Sequence, residues 1–538
     1  MAQEQLQMTG PAFTKKQLFM ALAPAFLGYF VYSYFMNTLN NATPKIAAGL
    51  NGMALYSWSV SIPSLGLAVG TILAGKLSDI YGRRAIMLGS VIILILGTLL
   101  SSLSPTFVTF IAARTLHCLG MGAIAPLCYA VIGDVFTGGA RSKWIGLLNI
   151  PYGVPALFGP TLSGWLVDGL GWRHIFWWIM PILLLAVAIA YGMPSLIQGA
   201  AHKIDVLGAI LITIASSTLI FGLSFAGTTY PWGSVQVIGL LAISVIFWAL
   251  FLRAESKASE PFLDPELITN RVFMTASIAG FLSFFGMMAM NLYFPLFMQG
   301  IQGMSAMKSG QVITPLGVLM SFLGVPIGFL IARTKRYKWM FVVGYAGVTI
   351  VLFGMIFFGK DTPAYLGVIV ATLCGLGLGA MPTINTIIIQ AAVPRRLLGV
   401  ATSTLIFSIA MGMAISPAIL GSAMNIKYNS TLKASLPAVL TQSANEATMT
   451  SLGDPRVLLS EPAMKELRET LAKTGGDGPM LFEQTVQAIR TSMESGLRIV
   501  FIIAAITMLL AFLLIITIPQ ISLDTPVEDK RNPKAGAA

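Results

Sequence analysis

Two side chains of different capacity stand three residues apart inside an apolar run: Arg114, whose guanidinium keeps its proton, and His117, whose imidazole gains and loses one near neutral pH. A spacing of three puts both on one face of a helix. Every Asp and Glu lies outside the middle of the apolar runs, so this is the only ionisable pair well inside one. Such groups are costly in an apolar medium and ordinarily face a cavity. The pair reads either as a site that holds an anion or a carbonyl and takes up a proton, or as a helix-bonding arginine beside a packed histidine. Polar residues that can share the same space are Asn37, Asn40, Asn149, Tyr152, Asn291 and Asn385. Buried amides need partners, which a neighbouring helix or a polar ligand supplies. Met287, Met288 and Met290 add soft apolar surface, or simply pack.

A second constellation is the decapeptide GKLSDIYGRR, Gly75 to Arg84, between two apolar runs. Asp79 is close enough in sequence to pair with Arg83 or Arg84, and Asp134, at the end of the run that holds Arg114, brings a second carboxylate to the same cluster. A charge cluster at helix ends latches them in one arrangement and releases them in another, and the candidate latch comprises Gly75, Asp79, Gly82, Arg83, Arg84 and Asp134. The alternative is an ordinary topology-setting loop. A third stretch, GPTLSG from Gly159 to Gly164, combines small residues that let helices approach with Pro160, which removes a backbone bond and lets a helix bend. Gly159, Pro160 and Gly164 are thus candidates for a gate.

Other chemistry finds little support. There is no phosphate-binding glycine loop, no zinc-spaced His/Glu set, and no serine or cysteine with a base nearby in sequence. Cys118, Cys128 and Cys374 fall inside apolar runs as small packing residues. An enzyme, a metal site and a bound cofactor are not expected.

The elements that must position these groups follow from composition. With 56% hydrophobic and 10% charged residues and a mean hydropathy of +0.81, the chain cannot present an ordinary soluble surface. The formal charge of +12 comes in twos and threes between apolar runs, not in one patch, which argues against nucleic acid as a partner. A run of roughly twenty apolar residues crosses a bilayer. Fourteen candidates lie near 17–40, 53–75, 85–103, 106–129, 142–166, 175–195, 206–226, 234–252, 272–297, 310–333, 339–359, 363–388, 398–422 and 498–519. The fold class is an all-α polytopic membrane protein. Basic residues crowd the loops holding Lys76/Arg83/Arg84, Arg141/Lys143, Lys203, Arg253/Lys257/Arg271, Arg333/Lys335/Arg336/Lys338 and Arg395/Arg396, which places both termini in the cytoplasm.

An internal echo divides the chain. Gly120-Met121-Gly122-Ala123 recurs as Gly377-Leu378-Gly379-Ala380, and Gly75-x-Leu77 as Gly328-x-Leu330. Related halves are a common plan for membrane carriers. The expected organisation is a six-helix half over 1–200, two inserted helices over 201–258, the first five helices of a second half over 259–424, a polar extracytoplasmic loop with short helices over 425–497, and a last span with a cytoplasmic tail over 498–538. That loop is read as a tolerated insertion, or as a lid or docking surface for a periplasmic adaptor.

The decapeptide resembles the signature loop between helices two and three of the major facilitator superfamily. ARTLHCLGMGAIAP resembles its arginine-glycine motif and GPTLSG its antiporter glycine-proline motif, while GWRHIFWWIMP, Gly171 to Pro181, is similar to the stretch opening helix six of the fourteen-helix drug:proton antiporters of the EmrB/QacA type. The resemblance implies two six-helix halves plus two inserted helices, a cavity lined by spans 1, 4, 9 and 12, and export of amphipathic compounds against proton entry. The chain departs from that pattern where the family carries an aspartate nine residues before a proline: counting back from Pro44 gives Phe35, although Asn40 matches the family's asparagine. His117 stands for the family's glutamine and Cys118 for its glycine. The implied function is secondary active, proton-coupled export of small neutral or anionic amphiphiles by alternating access, in a bacterial inner membrane, with protons, lipid and a small-molecule substrate as partners. An organic-anion uptake permease or facilitator, and a non-transporting sensor that uses the outer loop, are the alternatives.

Overall fold

The computed structural model describes residues 14–50, 56–194, 206–227, 230–256, 264–304, 306–394, 397–436, 464–465, 467–469 and 478–521. The long apolar runs fold as helices because a helix satisfies its own backbone groups where no water can. The first group is α1 Lys15–Gly49, α2 Tyr56–Tyr81, α3 Arg83–Leu103, α4 Phe107–Val135, α5 Gly138–Leu147, α6 Asn149–Gly169 and α7 His174–Tyr191. A hairpin of α8 Val206–Phe225 and α9 Val235–Glu255 follows. The second group is α10 Pro265–Thr269, α11 Arg271–Met288, a π-helical turn Ala289–Tyr293, α12 Phe294–Gly300, α13 Ala306–Phe322, α14 Gly324–Thr334, α15 Lys338–Met355, α16 Ala364–Ala392, α17 Leu398–Ser435 and α18 Gly478–Ile516. Among the described residues there is no strand beyond an isolated bridge of Ala226 with Tyr230.

Eleven described helices are long and apolar enough to cross a membrane, and α13 with α14, bent by 44°, make a twelfth. The expected segments 53–75 and 142–166 fall in α2 and in the α5–α6 pair, whose ends carry Lys76, Asp79, Arg141 and Lys143. Helix α4 is 89% buried along its apolar stretch whereas α9 is 17% buried, so α4 is a core element and the hairpin is peripheral. In-span hydroxyls bond back to the preceding turn, as Thr38, Thr71 and Thr98 do to Tyr34, Leu67 and Leu94 at 2.7, 2.8 and 2.7 Å. Helix α4 starts on a capping box in which the Thr106 and Thr109 side chains each accept from the other's backbone N–H.

The glycine echo is a packing rule. Gly120 of α4 sits on Ser90 and Leu94 of α3, and Gly122 sits on the Leu67 backbone of α2; in the second group Gly377 of α16 sits on Gly344 and Val348 of α15, and Gly379 on the Leu319 backbone of α13. Any Cβ at these positions would collide. Helices α4 and α16 therefore hold equivalent central places, α4 against α1, α2 and α3, α16 against α11, α13 and α15. The hairpin α8–α9 stands outside both groups and touches α2 and α17 through α8.

Two boundaries differ from the sequence reading. Helix α17 has 38 residues and α18 has 39, each about 57 Å long at about 1.5 Å per residue, nearly twice a hydrocarbon core of about 30 Å. Both helices thus continue into the segment read as a loop over 425–497, with Tyr428, Leu432, Leu481, Ile489 and Met493 buried there. Polarity marked the end of the apolar run, but apolar residues that recur four and eight positions apart, Tyr428 with Leu432 and Leu481 with Ile489 and Met493, keep one face buried and carry the helices on. Residues 437–463 of that segment, Lys203, Lys257, Arg395 and Arg396 lie outside the described residues.

Bulk at the echo glycines is expected to cost about 1–3 kcal/mol each. Gly122→Leu and Gly379→Leu should both lower the thermal unfolding midpoint in detergent, whereas Gly89→Leu, where an added Cβ meets nothing within 4 Å, should leave it unchanged.

Candidate functional site

At the end of the bundle where α2 turns into α3, Gly82 adopts φ 85°, a left-handed conformation that favours glycine, and starts α3 with Arg83 pointing inward. Arg83 is fully buried. Its Nη1 meets Asp79 at 2.5 Å and the Ser78 hydroxyl at 2.6 Å, and its Nε meets Asp134 of α4 at 2.7 Å. Arg84 goes elsewhere: it donates to the Tyr191 carbonyl at the end of α7 at 2.5 Å and lies 5.4 Å from that tyrosine's ring. Arg83 is therefore the arginine that joins Asp79 and Asp134, while Arg84 contacts the end of α7.

Asp79 also reaches across to the second helix group, where its Oδ2 accepts from the Val400 N–H at the start of α17 at 3.0 Å. A helix N-terminus offers unpaired N–H groups and a positive dipole end, so the carboxylate is well placed there. Close approach is required on both sides. A Cβ on Gly399 would strike the Asp79 carboxylate and lie 2.5 Å from Arg83 Nη1, and a Cβ on Gly75 would strike Ser403.

A second clamp joins the groups, and sequence reasoning gave its arginine only a topological role. Arg141, at the start of α5, donates to the carbonyls of Phe136 at 2.9 Å, Gly133 at 2.8 Å and Gln390 of α16 at 3.1 Å. Gln390 Nε2 in turn donates to the Tyr129 carbonyl of α4 at 3.0 Å. Its side chain lies against Gly133, where a Cβ would be 2.9 Å from Oε1. Helices α5 and α14 pack through Gly146, Gly324 and Gly328, and Asn149 donates to Thr383 of α16 at 3.1 Å. Asn149 thus joins the two groups, a role different from the cavity-facing one expected of it.

The breaks in the helices frame this clamp. The run read as one span over 142–166 is interrupted at Leu148, between α5 and α6, and its counterpart over 310–333 at Leu323, between α13 and α14. Gly159 and Pro160, expected to shape a bend, fall inside α6, which is continuous over Asn149–Gly169. Gly159 instead lets α6 approach Asn37 of α1, where its Cβ would lie 3.0 Å from the Asn37 Cβ, and a Cβ on Gly164 meets nothing within 4 Å. The side chain of Pro160 lies outside the described residues.

Arg114 and His117 do meet. Arg114 Nη1 lies 2.9 Å from His117 Nδ1, and among the described residues no carboxylate reaches the guanidinium. His117 is fully buried, with its backbone close against Gly97 of α3 and its ring edge-on to Phe35 of α1, centroids 4.3 Å apart. Phe35, the residue that replaces the expected aspartate, thus covers the imidazole directly. His117 Nε2 has no hydrogen-bond partner among the described residues.

The remaining candidates disperse. Asn37 Nδ2 bonds the Ser33 carbonyl at 2.8 Å, and the side chain of Asn40 lies outside the described residues. The Tyr152 carbonyl accepts from Ser33 at 2.5 Å, and its ring packs on Tyr29. Asn291 lies in the π-helical turn, is exposed, and bonds the Met287 carbonyl at 3.1 Å; π-turns inside helices often mark functional places. Asn385 is buried on α16, with Nδ2 3.5 Å from where a Gly280 Cβ of α11 would stand.

The model of the Major Facilitator Superfamily matches residues 25–196 and 204–417. The chain belongs to this superfamily. An MFS-type transporter of Mycobacterium tuberculosis strain H37Rv is 32% identical over 382 residues, 71% of this chain, and the chain spans 56% of that relative's length. The multidrug transporter protein MdtP of Bacillus subtilis is 32% identical over 398 residues, 73% of each chain. Among solved structures, the proton:xylose symporter XylE superposes with a TM-score of 0.56 over 95% of this chain and 98% of its own, at 13% identity, a likeness of fold alone. The two matched blocks of the superfamily part just before the α8–α9 hairpin, so the signature loop and Asp134 fall in the first block and Val400 in the second.

Removing one partner from a buried ion cluster typically costs about 3–5 kcal/mol. Arg83→Met should therefore loosen the end of the bundle where α2 turns into α3. With Cys118, Cys128 and Cys374 replaced, a Thr383→Cys reporter, buried in the wild type, should react with a membrane-impermeant maleimide at least about tenfold faster in the Arg83→Met protein. An unchanged labelling rate would remove the latch role.

Proposed function

We propose that this chain is a secondary active transporter that exports small amphipathic compounds, neutral or anionic, by alternating access, with protons moving inward. The observation that carries this reading is the pairing of a closed end with a carboxylate-free ionisable site. At one end, Asp79, Arg83, Asp134, Arg141 and Gln390 tie the first helix group to the second through contacts that rigid-body rocking of the groups can break and remake. Deeper in the bundle, Arg114 faces no carboxylate among the described residues and holds His117 at 2.9 Å.

On this reading the closed end is cytoplasmic, both termini lie on that side, and the moving bodies are the halves over 1–200 and over 259–424 with the last span. A fixed positive charge favours anionic or carbonyl-bearing compounds and disfavours cations. Arg114 cannot cycle its proton, so the proton passes through His117, whose free Nε2 receives it when Phe35 moves aside. The extensions of α17 and α18 beyond the membrane give a periplasmic adaptor a helical surface, and the setting is a bacterial inner membrane. The name of MdtP, a multidrug transporter, accords with a broad substrate range.

The test is proton movement in sealed proteoliposomes carrying a pH gradient, with anionic, neutral and cationic amphiphiles added in turn. Addition of a transported anion or neutral compound should collapse the gradient, and Arg114→Gln should weaken half-saturation for anions by about tenfold or more with a smaller effect on neutral compounds. His117→Gln should leave substrate counterflow intact while removing the coupled proton flux. Compound flux with no proton movement in the wild type would exclude the coupling, and equal transport of cations would exclude the role given to Arg114.

A further inference from the structure

On the central side of the clamp lie four tyrosines from three helices: Tyr29 and Tyr32 of α1, Tyr129 of α4 and Tyr152 of α6. Tyr29 is the hub. Its ring centroid is 5.8 Å from that of Tyr32 at an interplanar angle of 9°, 5.5 Å from Tyr129 at 74°, and 5.4 Å from Tyr152 at 32°. Its hydroxyl lies 2.9 Å from that of Tyr129. Those separations are ring-to-ring contacts, with no room for a ligand between members.

The outer members differ from the hub. Tyr29 and Tyr129 are buried, at 9% and 6% exposure, whereas Tyr32 and Tyr152 stay half-buried. Neither the Tyr32 nor the Tyr152 hydroxyl has a hydrogen-bond partner among the described residues. The cluster adjoins the second helix group: the Tyr129 carbonyl accepts from Gln390, Asn149 one turn before Tyr152 bonds Thr383, and Gly153 lies against Phe322 and Ser321. Tyr32 also stands one helical turn, about 5 Å, from Phe35, which touches the His117 ring.

We propose that Tyr32 and Tyr152 form a stacking floor for the flat aromatic body of a substrate whose anionic end reaches Arg114, so that the site selects planar aryl carboxylates over saturated ones of the same skeleton. This rests on the transport reading for the place of Arg114, but the selection by flatness stands on the tyrosines alone. Tyr29 and Tyr32 are parallel, so a flat ring can continue their arrangement, and the two hydroxyls, unpaired among the described residues, give polar substituents a partner. The Tyr129 carbonyl belongs to the clamp while its ring belongs to the floor, so a compound seated there lies against the element that must move when the clamp opens.

The experiment is calorimetric titration of the purified full-length protein with 2-naphthoate, with its saturated analogue decahydro-2-naphthoate, and with neutral 2-naphthol. Wild type should bind 2-naphthoate more tightly than the saturated acid, although the latter is the more hydrophobic. Tyr32→Leu and Tyr152→Leu should each weaken 2-naphthoate about three- to tenfold and leave the saturated acid within about twofold, with Tyr→Phe at either place keeping most of the preference. Arg114→Gln should weaken both acids alike and leave their ratio and 2-naphthol unchanged. Equal wild-type affinity for the two acids overturns the floor whether or not the leucine variants fold, as does an equal loss for both acids in the leucine variants. A normal aryl preference with no loss in Arg114→Gln overturns the anion site and spares the floor.

Discussion

A guanidinium with no access to water must be neutralised where it lies, and in this chain that requirement falls on Arg83. Two carboxylates and a hydroxyl surround it, one carboxylate from its own hairpin and one from α4. Once Asp79 and Asp134 are committed to Arg83, the positions of the α2, α3 and α4 ends are tied together. Asp79 has a second oxygen to satisfy, and the start of α17 supplies the N–H. The charge cluster in the first half thus depends on a backbone group in the second. Lose that contact, and the cluster keeps its arginine but gives up one acceptor interaction to water, which is affordable. Exchange of that kind is how a latch is stable without being permanent.

Glycine sets how close these parts come. The same small-x-small step recurs in α4 and α16, and in each it seats the helix on two neighbours at backbone distance. With lipid as apolar as the side chains, there is no hydrophobic gain from bringing helices together, so close backbone packing and interhelical hydrogen bonds must hold them. That is why the repeat survives as glycine while the residues around it differ: Ala371 and Cys374 stand where the first half has Arg114 and His117. The scaffold is symmetric and the chemistry is not.

This division explains what was legible in the sequence. Apolar runs about twenty residues long, the decapeptide from Gly75 to Arg84 and the glycine echo report physics that acts along the chain or over one helical turn, and each has its counterpart in the folded molecule. The pairing of Arg114 with His117 was legible for the same reason. What spacing could not carry was contact between distant segments. Nothing in the neighbourhood of Arg141 announces that it will hold the Gln390 carbonyl, nor does Asn149 announce Thr383. Asp79 could be assigned a partner within its own loop, but its hydrogen bond to Val400 joins residues more than three hundred positions apart. The break at Leu148 was hidden by its residue type, since leucine, unlike proline, carries no helix-breaking signal of its own, and the helical extension past 425 was hidden by polarity.

The replacement of a carboxylate by Phe35 bears most directly on how such a site would work. An aspartate beside Arg114 would neutralise the guanidinium internally and leave the imidazole a competing acceptor. Phenylalanine does neither. It removes a negative charge from the site and at the same time caps His117 edge-on, so the Arg114 charge is left for whatever enters while the imidazole is sheltered from water. With no carboxylate for substrate and proton to share, the exchange that an exporter requires would have to come from geometry: Phe35 covers the imidazole and stands one helical turn from Tyr32, so a movement that uncovers His117 also shifts the turn that carries Tyr32. Coupling would reside in the position of one phenyl ring, not in a shared carboxylate.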